Sequence, residues 1–359
     1  MRLSLTPDDE RLVRGLIEVS KRNIGASDII NSYLAGFDER AAESALSLSH
    51  RLGPDAAYSR TFAAISGNGD QSLMEEYGLL NAEKLSPGDY LSDPYVRKVG
   101  FEPASAGSWN LRKRSYLPYQ GFLMDEVRGD ERDRFKEISP MGYFAEPFPY
   151  MAADKDGKVW MSAIPHEINS MREPIKKAHG HVLAFGLGMG YYPYMASLNG
   201  NVEDVTVVES DPDCIALFKE AILPRLNPGK PIIVKEGDAY AFAQTLKPGD
   251  YDSVFSDIHA TPEDGLYSYI KMERIAKDRR AGIDYWIERS ILALLRRAVL
   301  VAIEEELDGY QDYVDPEGPI GDEDALIDRL HFILRDKRIA SYGDAIALLS
   351  DKGLRGLAI

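Results

Sequence analysis

One stretch, HVLAFGLGMGYYPYMASLNGNVEDVTVVESD at residues 181–211, constrains the fold of this chain more than any other. Its two apolar runs, Val182-Leu183-Ala184-Phe185 and Val205-Thr206-Val207-Val208, are too short for helices and rich in β-formers. Neither alternates polar with apolar, the pattern of parallel strands covered on both faces. Between them, Gly186-Leu187-Gly188-Met189-Gly190 lets the backbone turn sharply and lets another group approach closely. Residues 192–197 then start a helix, whose first amides favour a negative group. The expectation is strand, turn, helix, strand, closed by an acid.

The glycine spacing narrows the chemistry. A dinucleotide-binding turn reads G-x-G-x-x-G, which after Gly186 and Gly188 would put the third glycine at position 191. That position is Tyr191, and the third glycine is Gly190. A nicotinamide-dependent oxidoreductase is therefore the least favoured enzyme. Glu209, about 20 residues past the turn, stands where open α/β folds place an acid on ribose hydroxyls.

Two further strands are expected at residues 231–234 and 251–255. The first runs into Lys235-Glu236-Gly237-Asp238-Ala239 and the second into Ser256-Asp257-Ile258-His259. Ligands of open α/β sheets bind outside the carboxyl ends of strands, and here Glu209, Asp238 and Asp257 end three of them. Acids also end strands in α/β proteins that bind nothing there.

Strand, G-x-G-x-G turn, helix, strand and acid in this order resemble the cofactor loop of class I S-adenosylmethionine-dependent methyltransferases, with a more distant similarity to the spermidine synthase-like branch. The resemblance covers about residues 160–302. It implies an α/β fold with a doubly wound, mostly parallel Rossmann-like sheet, here carrying an N-terminal helical and small β extension. It further implies that S-adenosyl-L-methionine lies against Phe185, Gly186, Leu187, Gly188 and Gly190. Glu209 would take the ribose with Ser210 beside it, and Asp238 the adenine amino group, with Ala239 offering its backbone amide. In such folds the helix before the first strand covers the methionine end, making Ser162, His166 and Glu167 candidate contacts; alternatively His166 is a plain surface histidine. Asp257 and His259 stand at the expected transfer point. His259 could take a proton from an incoming hydroxyl or amine, with Asp257 orienting it or meeting the cofactor's amino group. A loop-capping His259 is the simpler alternative. The Asn/Asp-Pro-Pro-Tyr motif used on amino-nitrogen substrates is missing, which leaves the methyl acceptor open as a small molecule or a protein.

Two other functions stay in play. A polyamine aminopropyltransferase shares this core and often has a β-rich N-terminal part, although its GGGDGG-like loop and aspartate-rich fourth-strand motif are not reproduced. A non-catalytic cofactor-binding protein would keep the fold without turnover.

Outside the core the readings are coarser. The 359 residues divide into an accessory domain, 1–140, and an α/β domain, 141–359. Up to about residue 80 the periodicity is helical. Thr6-Pro7-Asp8-Asp9 starts a helix running to about Arg22, and others begin at Ser27-Asp28, Asp38 and Pro54. Residues 79–155 are rich in proline, glycine and tyrosine, with short strands near 109–116 and 121–126. A hairpin is expected at 143–152 and 159–162 around the turn Asp154-Lys155-Asp156-Gly157. This segment is a substrate lid or an ordinary connection. Arg112-Lys113-Arg114 could hold an anionic group or form a solvated strand face. Pro165 opens the helix before the core, which Pro174 kinks or restarts. Residues 298–303 could be a fifth strand or more helix. Glu304-Glu305-Glu306 and the loop to Asp324 read as solvated, and 322–335 and 342–350 as helices.

Composition excludes several classes. A net charge of −16 disfavours phosphate backbones, so nucleic acid is not expected as a substrate. No stretch approaches the roughly 20 apolar residues that span a membrane, and the N-terminus meets charges before any signal segment. The single cysteine, Cys214, suits a reducing cytosol, so a cytoplasmic protein is expected, with a homo-oligomer open. The scattered histidines offer no metal-ligand spacing, and no serine or cysteine nucleophile elbow is present.

Overall fold

The structure, a computed structural model, describes residues 1–67, 69–129, 135–279, 282–310 and 322–357. The chain begins with three helices, α1 (Pro7–Gly36), α2 (Glu39–Leu52) and α3 (Pro54–Ile65). Thr6 caps α1 through the Asp9 amide, as its sequence dictates. The helix does not stop near Arg22. Gly25 is a packing site, because a Cβ there would lie 3.0 Å from the Leu73 side chain, and α1 continues for 30 residues. Its first half joins the core that holds Leu292, Leu295 and Val299. Its second half, with Ile30 and Tyr33, packs on Tyr58 and Phe62 of α3.

A four-stranded antiparallel sheet follows, with β1 (Ala104–Ala106), β2 (Trp109–Tyr116), β3 (Phe148–Lys155) and β4 (Lys158–Ser162) in the order β4-β3-β2-β1. The β3–β4 turn is Asp156-Gly157, both at positive φ (50° and 80°), the twist that a tight two-residue hairpin needs. Pairing of β2 with β3, and of Gly121–Leu123 with Met141–Tyr143, carries this region across residue 140. The basic island is engaged within the sheet. Arg114 lies 2.9 Å and Arg112 3.9 Å from Asp154 Oδ2, and Lys113 lies over the Phe101 ring.

Two short helices, α4 (Pro165–Ser170) and α5 (Arg172–Lys177), lead into the core. There β5 (Gly180–Phe185), α6 (Tyr191–Ser197), β6 (Val202–Glu209), α7 (Pro212–Leu217), β7 (Ile232–Glu236), α8 (Ala239–Thr245), β8 (Ser253–Ser256), α9 (Pro262–Arg279) and β9 (Asp284–Tyr285) succeed one another. The five strands are parallel, in the order β7-β6-β5-β8-β9. Both faces are covered, which explains the unbroken apolar runs. Val182, Ala184, Val205 and Val207 enter the core with Tyr192, Cys214 and Phe218, whereas Leu183, Phe185 and Val208 enter the one with Ala243, Leu266 and Ile291.

The run at 298–303 is helix, inside α10 (Glu288–Leu307), and the fifth strand is the two-residue β9 instead. Helix α10 packs against α1, α9 and α11 (Glu323–Leu334). That is why its apolar residues are not confined to one narrow stripe. Its acidic end is paired rather than merely solvated: Glu304 lies 2.7 Å from Lys21 and Glu305 2.7 Å from His331. The acidic loop beyond it, at 311–321, lies outside the described residues. Helix α12 (Tyr342–Leu349) closes on the same core.

Candidate functional site

The glycine turn is forced by what crosses it. Gly186, Gly188 and Gly190 have φ of 92°, 50° and 79°. A Cβ on Gly186 would fall 1.8 Å from the Asp257 carbonyl oxygen, on Gly188 2.1 Å from Met161 Sδ, and on Gly190 2.2 Å from the Phe218 ring. The turn thus lets β5 and β8 end side by side, the Asp257 amide bonding the Phe185 carbonyl at 2.8 Å. It also lets the accessory sheet close down over both.

A cleft of about 290 Å³ opens at these strand ends. Its floor is Gly186, Gly188, Glu209, Ser210, Gly237, Ala239 and Asp257. Glu209 is held rigidly: Oε2 accepts the Leu187 amide at 3.0 Å and Oε1 the Asp211 amide at 2.8 Å. Oε2 keeps a second lone pair, while Oε1 also takes the Ser210 hydroxyl in a long contact of 3.5 Å that an incoming hydroxyl would have to displace. Two such oxygens are what a ribose requires, and the residues present fit an adenosyl ligand.

Glu167, at the start of α4, and Asp257, past β8, line the other end. Asp257 is pushed up to about 7, first by burial and then by the charge of Glu209. Glu167 is raised well above the usual carboxylate range by burial, with Asp257 adding to it. Among the described residues neither has an ion-pair partner.

His259 also lines the cleft, its ring tilted by 33° against Trp286 with centroids 5.5 Å apart. Burial lowers its pKa, and Asp264 and a hydrogen bond to the Trp286 backbone oppose the drop. Its buried Nε2 has no hydrogen-bond partner and packs beside Gly265 of α9, where a Cβ would lie 2.9 Å from it. Trp286 is anchored from behind, its Nε1 donating to Ser170 Oγ at 2.8 Å.

Other residues singled out from the sequence stand back from the cleft. Phe185 lies in the core beneath the turn, its ring against Phe242. Leu187 is buried and contributes its amide to Glu209. Gly190 caps α6. Asp238 caps α8 through the Ala241 amide at 2.8 Å, leaving its neighbours Gly237 and Ala239 as the lining. Ser162 is buried at the end of β4, and His166 packs edge-on behind Trp286.

The far wall comes from the segment read as a lid or a connection, through residues that the sequence did not single out for the site. Trp109, Lys155, Trp160 and Met161 all come from the β2–β4 sheet, so the proline- and tyrosine-rich segment is a wall of the site. Lys155 lies 2.8 Å from Asp211 Oδ2, which also accepts Trp109 Nε1 at 2.9 Å, while Asp211 Oδ1 caps α7. The one signal was a tryptophan in each of two strands, Trp109 in β2 and Trp160 in β4, and spacing alone could not bring them to the glycine turn. Among the described residues no cluster suited to a metal ion occurs, and no helix is long and apolar enough to cross a membrane.

No family model and no curated protein matches the chain. Among solved structures it is similar to a probable spermidine synthase from Corynebacterium glutamicum ATCC 13032, at 13% identity over 70% of this chain and 94% of that chain, with a TM-score of 0.33. It is also similar to MNMC2 from Aquifex aeolicus, at 14% identity over 74% and 96% of the two chains, with a TM-score of 0.30. At this level of likeness, function has to be argued from the cleft itself.

Proposed function

We propose that the chain is a cytoplasmic methyltransferase using S-adenosyl-L-methionine, its catalytic part a doubly wound α/β domain at 141–359 and residues 1–140 an accessory domain. One observation carries this: a single cleft gathers the anchored carboxylate of Glu209 and the elevated carboxyls of Asp257 and Glu167 around a glycine turn.

In this reading Glu209 accepts the ribose hydroxyls, with Ser210 beside it. Asp238 shapes the adenine end as the cap of α8, and the Ala239 backbone faces the base. Glu167 and Asp257 face the ligand's ammonium group. When bound, the cofactor supplies an electrophilic methyl group. The chain's part is to position an acceptor in line, exclude water and remove the acceptor's proton. Asp257, near neutrality and lining the cleft, accepts that proton, and His259 serves as the base only if its ring turns the Nε2 that now packs beside Gly265 towards the acceptor. The acceptor is a small molecule or a protein side chain; the chain's negative charge disfavours nucleic acid.

Titration calorimetry with S-adenosylmethionine and S-adenosylhomocysteine tests the reading. Saturable binding is expected, and no heat at millimolar ligand overturns it.

Aminopropyl transfer is the second reading. It is favoured by the cleft's charge: Lys155 is its one cationic side chain among the described residues, and Glu167 and Asp257 face inward unpaired. Such a lining suits a diamine acceptor and a sulfonium without a carboxylate. Putrescine with decarboxylated S-adenosylmethionine, followed by mass spectrometry, separates the two activities.

A further inference from the structure

The wall contributed by the accessory sheet follows the strand tips in order. Lys155 and Trp109 meet Asp211, just beyond β6. Met161 lies against the glycine turn beyond β5, its sulfur accepting the Met189 amide. Glu167 shares the far end of the cleft with Asp257, beyond β8. Trp160, in contact with Trp109 and Lys155, therefore stands on the Asp211 side of a ligand whose sugar sits on Glu209.

Trp160 is 45% exposed, whereas the cleft's other two tryptophans are nearly covered. An exposed aromatic residue alone is unremarkable on a protein surface, but this one is fixed in place. Trp109 meets it edge-on at 6.2 Å, and the Lys155 ammonium lies 5.8 Å from its ring centroid while paired with Asp211. Asp211 Oδ1 is bonded to the first amides of α7, so the indole is tied to the core through one carboxylate. An indole braced at a cleft of about 290 Å³, beside an acid whose Oε2 has a free lone pair and whose Oε1 is shared only with the long Ser210 contact and the Asp211 amide, matches one nucleoside-sized ligand: base on the ring, diol on the acid.

We propose that Trp160 is the base-stacking platform of this cleft, held over the adenine of an adenosyl ligand by the Lys155–Asp211 ion pair. This rests on the cofactor reading above and adds a contact from outside the α/β core.

The test is calorimetry on the full chain with two probes, S-adenosylhomocysteine and adenosine. Losing one base-stacking partner weakens nucleoside binding about 5- to 100-fold. Trp160→Ala is expected to do so for both probes, with an unchanged thermal midpoint because the residue is half exposed. Trp160→Phe, which keeps an aromatic face, should bind within about threefold of the parent. Lys155→Met should weaken both probes by a smaller factor, because the indole loses its tether. Parent-like affinity of Trp160→Ala for both probes overturns the platform and leaves the cofactor reading standing. If the parent itself binds neither probe, both fall. An equal loss in Trp160→Phe and Trp160→Ala also counts against stacking.

Discussion

The Glu209 carboxylate accepts the backbone amide of Leu187 at 3.0 Å, so the acid ending one central strand is bonded directly to the turn leaving the next. Its other oxygen takes the Asp211 amide. Glu209→Ala should therefore leave two amides short of partners and destabilise the fold by about 1–3 kcal/mol. Glu209→Gln keeps the shape but turns one acceptor into a donor facing an N–H, and should cost about as much. Urea unfolding measures this, and calorimetry should show weakened adenosyl binding in both variants. Parent-like stability would mean that the carboxylate is not holding the turn.

Gly186 offers a sharper contrast. It combines a φ of 92° with a position where a Cβ would lie 1.8 Å from the Asp257 carbonyl oxygen. Neither conflict is relieved by a rotamer change, because the obstacle is backbone. Gly186→Ala should cost more than about 3 kcal/mol or prevent folding. Gly200→Ala is the control, since a Cβ there meets nothing within 4 Å. Its thermal midpoint should stay within a degree or two of the parent.

Asp257 sets a pH dependence. Its carboxyl has a folded pKa of about 7, above the unfolded value near 4, so between those limits the folded chain holds the extra proton. Stability then falls as pH rises from about 4 to about 7, the reverse of a salt-bridged acid. Asp257→Asn removes the ionisation. It should be neutral at pH 4–5 and stabilising at pH 8, by an amount on the order of 2 kcal/mol once cleft solvent is allowed for. Thermal melts of both proteins at pH 4.5, 6 and 8 check it, and parallel curves would show that Asp257 titrates normally.

How far the sequence reached differs between the two walls of the site. The parallel strands were legible because Val182-Leu183-Ala184-Phe185 must be covered on both faces, and the packing covers them. The turn was legible through its glycines, although what those glycines avoid is Asp257, Met161 and Phe218. Lys155, Trp109 and Trp160 were not legible as site residues. They reach the cleft through antiparallel pairing and a docking contact on Asp211, and neither leaves a local periodicity. Residues 298–303 were ambiguous because a helix packed on several sides has the continuous apolar character of a buried strand. Asp238 shows the converse limit: an acid after a strand reads as a ligand contact and as a helix cap equally well.

All three tryptophans in the chain line the cleft, which makes ligand binding visible without a label. Trp109 and Trp286 are 3% and 5% exposed and Trp160 45%, so the acrylamide-quenchable emission should come from Trp160. Trp160→Phe should remove most of it and leave the blue-shifted emission of the buried pair. A ligand seated on Glu209 and covering the indole should lower the quenching constant of the parent along a saturable curve, with a midpoint equal to the calorimetric Kd. A ligand bound elsewhere would leave that constant unchanged at saturation. Phenylalanine at position 160 then supplies the internal reference, because its residual emission, from residues already covered, should show little ligand-dependent quenching at any concentration.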